Sequence, residues 1–141
     1  MRLLAALSLV LLGGCPQPGG GDDGPTAGEC FVDEECRTSE VCARDDSCWP
    51  EAEVHRVMTT WTVRGQPASD TACARTKELF IRFESLDDHV GFSPVPCNIG
   101  QFVVDKLPRP FTRVKLGIYK DGPWRATSIA SSGSAALDLP F

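Results

Sequence analysis

Cysteine placement constrains this chain more than any other feature. Seven cysteines stand in 141 residues, a density that belongs with exported, disulfide-stabilised proteins, yet an odd number cannot all pair with one another. Four of them, Cys30, Cys36, Cys42 and Cys48, are each separated by five residues. The sizeable apolar side chains between them are Phe31, Val32 and Val41, too few for a core, so residues 30–49 are expected to form a small knot held by covalent bridges. Four cysteines allow three pairings. A zinc site made of all four fits badly, because such sites use close cysteine pairs with gaps of about two to four residues. Asp33, Glu34, Glu35, Asp45 and Asp46 lack the alternating acids and central glycine of a calcium loop and read as a solvated acidic face. No metal is expected.

The seventh cysteine has a different setting. Met1 and Arg2 give a short positive start, Leu3 to Leu12 is apolar except for Ser8, and Gly13, Gly14 and Cys15 follow. This is the pattern of a secretory signal peptide over residues 1–14. The apolar run as a helix would rise about 15 Å, half of a hydrocarbon core of about 30 Å, which argues against a permanent span. Pro16 to Glu29 is rich in Pro, Gly and Asp with almost nothing to bury, so residues 15–29 read as a tether. Its flexible part would reach about 20 Å.

From residue 50 the composition shifts to alternating β-branched, aromatic and polar residues punctuated by turn signals, which predicts an all-β, antiparallel sandwich of about seven strands over residues 50–141. Val57, Thr59, Trp61 and Val63 share one face of a first strand, and Leu79, Ile81 and Phe83 share one face of a second. His89 to Val95 makes a third, Phe102 and Val104 mark a fourth, and Val114, Leu116 and Ile118 alternate with Arg113, Lys115 and Tyr119 in a fifth. Asp121-Gly122 predicts a hairpin turn into a strand around Trp124 to Ile129. Leu137, Leu139 and Phe141 predict a docked terminal strand. Cys73 and Cys97 precede the second and fourth strands. Bridging them would close a loop of about 25 residues, a stabilisation of about 3.5 kcal/mol on the chain-entropy model.

Three stretches resemble known families. Leu12-Gly13-Gly14-Cys15 resembles the lipobox of bacterial lipoproteins, which implies cleavage before Cys15, a diacylglyceryl group on its sulfur, a membrane partner through that lipid, and residence in the cell envelope, at the outer membrane facing the periplasm or at the cell surface. Residues 30–48 resemble small Cys-rich knots of exported lipoproteins and extracellular modules, which implies the crossed pairing Cys30 with Cys42 and Cys36 with Cys48. Pro96 to Leu116, with its Gly100-x-Phe102 strand, Leu107-Pro108 turn and Phe111 opening the next strand before Asp121-Gly122, is similar to transthyretin-like, carboxypeptidase-regulatory-like β-sandwich modules. Arg109-Pro110 stands where those modules usually carry Pro-Gly. Such modules imply adhesion or structural support rather than catalysis.

The remaining chemistry is sparse. With 14 Lys and Arg against 19 Asp and Glu, net −5, there is no basic excess for nucleic acid. No Gly-rich loop opens a helix, and no cofactor is expected. His89 beside Asp87 and Asp88 lacks an identifiable nucleophile, and Ser93 lacks the context of a nucleophile elbow, so the chain is expected not to be an enzyme. Arg109, Arg113, Lys115 and Lys120 suggest a small basic face, and Trp61, Tyr119 and Trp124 suggest an aromatic platform for a glycan or an exported protein partner. The leading expectation is a lipid-anchored envelope protein with a structural or interaction role, and the alternative is a surface ligand-binding module.

Overall fold

A computed structural model describes residues 29–118 and 122–141. The signal, Cys15, the tether up to residue 28, and Tyr119 to Asp121 lie outside the described residues. No helix among the described residues is long and apolar enough to cross a membrane.

The knot is built almost entirely by its bridges. Cys30 joins Cys42 and Cys36 joins Cys48, the crossed pairing. A short antiparallel hairpin of β1 (Glu40–Cys42) and β2 (Cys48–Pro50) lies beneath the 3-10 turn Asp33–Glu35. Its connecting turn puts Asp46 at φ 59°, a left-handed position that Asp tolerates. In return, the Asp46 carbonyl accepts the Cys30 amide at 2.7 Å. The only buried apolar residues of this part are Cys30 and Ala43. The bridges therefore do work that a core would otherwise do.

Two sheets follow, face to face. The first is built on β3 (Val54–Val63), with β7 (Gln101–Pro108) and the short β4 (Gln66–Pro67) pairing antiparallel to it and β10 (Ser134–Leu139) pairing parallel. The second runs in the order β6 (His89–Pro96), β5 (Glu78–Glu84), β8 (Arg113–Gly117), β9 (Trp124–Ser128), antiparallel throughout. The expected all-β sandwich is present, with β3–β10 its one parallel pair among the described residues. Gly133, at φ 76°, turns the chain into β10 so closely that a Cβ there would strike the Arg56 carbonyl.

Period-two patterning builds the core. On β3, Val57, Thr59, Trp61 and Val63 point inward, and on β5 Leu79, Ile81 and Phe83 do the same. Val95, Val104, Leu107, Phe111, Val114, Leu116, Leu137 and Leu139 are among the residues that join it. Each such side chain contributes about 1.5–3 kcal/mol by leaving water. Phe83 and Phe92 of the second sheet lie 6.1 Å apart between centroids, and Phe102 of the first sheet meets them at 6.4 and 5.2 Å respectively, tying the layers together. Ile118, expected on the buried face of its strand, is half-buried, because β8 ends at Gly117. Cys73 joins Cys97 at one end of the core, where both are buried.

A β-bulge couples knot and sandwich. Arg56 of β3 stands opposite two residues of β7, Asp105 and Lys106, with Lys106 at φ 55°. The extra residue turns the β7 backbone outward. The Lys106 carbonyl accepts the Arg44 amide at 3.2 Å, and the Asp105 carbonyl accepts Arg44 Nε at 3.1 Å.

Candidate functional site

Strand alternation separates the three aromatic residues suggested as a platform. Trp61 occupies an inward position of β3 and is only 4% exposed, its indole N–H donating to the Cys97 carbonyl at 2.8 Å. It is a core residue whose indole is not displayed on the surface, which corrects the platform suggested from sequence. The reason is its register: it shares the face of Val57 and Val63. Tyr119 lies outside the described residues. Trp124 does sit on the outward face of the second sheet, half-buried, and its partner there is Phe80.

The two rings meet edge to face, 5.6 Å between centroids and 84° between planes. Phe80 is opposite Gly117 on β8, and Gly117 is opposite Trp124 on β9, so a residue without a side chain separates the two aromatics. On the other flank a Cβ at Gly91 would lie 2.5 Å from Phe80 Cζ. Any side chain there would have to displace the ring, which extends over the neighbouring strand. Phe80 carried a readable sign: it is an aromatic at an outward position, between Glu78 and Arg82, in a strand whose inward positions are already apolar.

The next row is ionic. Arg82 Cζ stands 6.0 Å from the Trp124 ring centroid, within cation–π range. Arg82 and Lys115 both reach Glu84 Oε1, at 2.6 and 2.8 Å. Burial pushes the Glu84 carboxyl up, but the hydrogen bonds and charges of Lys115 and Arg82 outweigh it and hold the group below the usual range. Arg113 is opposite Glu84 in register. Arg109 does not join this face: its Nε donates to the Ala52 carbonyl at 3.0 Å and its amide to Glu53. Lys120 lies outside the described residues. The basic face is therefore Arg82, Arg113 and Lys115.

A cleft of about 530 Å³ opens beside the Cys73–Cys97 bridge, lined in part by Asp70, Lys77, Glu78, Pro94, Pro96 and Asn98. Asn98 donates its amide to Asp70 at 2.7 Å, and the Cys97 amide donates to the Lys77 carbonyl at 2.9 Å. The loop over residues 70–77 is thus pinned to the 3-10 turn Cys97–Ile99 that precedes β7.

The sulfurs of Cys30, Cys36 and Cys48 lie within 4.8 Å of one another, but each is in a disulfide and has no thiolate to offer a metal. Asp88 accepts the backbone amide of His89 at 2.7 Å. His55 is held below the usual histidine value, first by burial and then by the charge of Arg109.

Compared with protein-family models, with curated proteins and with solved structures, the chain matches none.

Proposed function

We propose that this chain is a lipid-anchored protein of a bacterial cell envelope, carried by Cys15, in which the knot and sandwich perform a non-catalytic structural or interaction role at the outer membrane or cell surface. The supporting observation is the use of cysteine. Six of the seven are joined to one another in three disulfides, so none of them is left for Cys15, which closes the lipobox-like Leu12-Gly13-Gly14-Cys15. Three disulfides also belong in an oxidising compartment. Two or three acyl chains, at about 0.8 kcal/mol per buried methylene, would hold such a domain on a bilayer. Mass spectrometry of the N-terminal peptide from the native host tests this. A peptide starting at Cys15 with a thioether-linked diacylglyceryl group is expected, and an unmodified Cys15 or an intact signal peptide would contradict it.

A second reading, a surface module that binds a glycan or an exported protein partner, is favoured by the Phe80–Trp124 pair with Arg82 beside it on the outward face. Loss of partner or glycan capture in Trp124→Ala is its expected signature.

A further inference from the structure

The cleft and the aromatic pair belong to one track. Glu78, which lines the cleft, and Phe80 are successive outward residues of β5. On β6 the register shifts between Leu79↔Val95 and Ile81↔Phe92, which sets Ser93 and Pro94 opposite Phe80. Pro94 is also a wall of the cleft. By register, then, Phe80 stands beside the Pro94 wall of the cleft, and the same row runs across Gly117 to Trp124, with Arg82 and Lys115 in the row alongside.

From this continuity we infer that the outward face of the second sheet binds an acidic oligosaccharide, an inference that rests on the second reading above. Flat apolar groups at Pro94, Phe80 and Trp124 suit the C–H faces of pyranose rings. The Asp70 carboxylate and Asn98 amide in the cleft suit sugar hydroxyls, because the carboxylate accepts hydrogen bonds and the amide both donates and accepts them. The cleft lies in the size range of small-ligand sites, about 300–1,000 Å³, and its disulfide and Asn98–Asp70 brace reduce the ordering that binding would require. Charge points to the acidic class at one end of the track: Arg82, Arg113 and Lys115 gather there around the single Glu84, whereas the cleft carries Asp70 and Glu78 beside Lys77, on a chain whose net charge is −5. A uronate carboxylate would meet Arg82 and Lys115, whose charges a single Glu84 shares.

Isothermal titration of the full mature protein tests this with hexagalacturonate, uncharged cellohexaose and poly-L-glutamate as probes. Saturable binding of hexagalacturonate is expected, about tenfold or more tighter than cellohexaose and weakened by salt. Trp124→Ala and Lys115→Gln should each weaken it about tenfold, with Trp124→Phe restoring most of the loss. Lys115→Gln, at a half-buried surface position, keeps the test independent of folding. No binding of hexagalacturonate, binding indifferent to both Trp124→Ala and Lys115→Gln, or tighter binding of poly-L-glutamate would overturn the inference. The lipid on Cys15 is read by mass on the same preparation, so a failed titration of lipidated protein removes the glycan site and leaves the anchored role standing.

Discussion

The Lys106 ammonium lies 2.6 Å from each carboxylate oxygen of Asp33, and through that pair a bulge in β7 holds the disulfide knot against the sandwich. Asp33 also accepts the Cys42 amide at 3.0 Å, so one carboxylate serves the knot's interior and its docking together. Lys106 occupies a left-handed backbone position for this, at a cost of about 1 kcal/mol.

Asp33→Ala should therefore loosen the knot without unfolding the sandwich. Amide hydrogen exchange would show faster exchange at Cys42 and Arg44, with Ile81 and Leu116 in the sandwich core unchanged. Equal acceleration at all four amides would mean that the knot and sandwich are not coupled in this way.

Stability should fall with acid in two stages. His55 has a folded-state value below its ordinary 6.5, so protonation is penalised in the native state. Its contribution is full above that value and is lost as pH falls through the lowered one. Glu84 is likewise depressed below its ordinary 4.5, and its contribution is lost further into acid. Urea midpoints measured from pH 8 to 3 should begin to decline below about pH 6.5 and steepen below about pH 4.5. His55→Gln should remove the upper part of the decline and Glu84→Gln part of the lower, the remainder belonging to Asp33 and Asp138, whose carboxyls are also held below their ordinary 3.8.

How far the fold could be read in advance depended on whether the information was local. Leu79, Ile81 and Phe83, or Val57 and Val63, declare their face by alternation alone, because a strand's side chains must alternate whatever it pairs with. The parallel partnership of β10 with β3 is a contact between distant segments, and nothing near Leu137 or Leu139 encodes it. Trp61 shows a second limit. Its face was legible, but an aromatic residue type suggested exposure, whereas its shared phase with Val57 was the stronger signal. The bulge at Lys106 was hidden, since no glycine marks the left-handed position.

Trp61→Phe keeps the ring in the core and removes the donor to Cys97. The Cys97 carbonyl retains the Gly100 amide at 3.3 Å, so the expected loss is about 1–2 kcal/mol in urea unfolding. Glycan titration should be unaffected, because Trp61 faces away from the track.

Thr59 offers the opposite sign. It is fully buried and its hydroxyl has no hydrogen-bond partner, so Thr59→Val should stabilise the protein by about 1 kcal/mol. A destabilised variant would show that the hydroxyl is satisfied in solution.

The division of seven cysteines into one that carries lipid, four in the knot and two bracing the sandwich is the claim on which the envelope role depends. Thiol counting tests it directly. The mature protein, denatured without reductant and treated with an excess of thiol reagent, should show no reactive cysteine. One stoichiometric free thiol per chain would contradict the account.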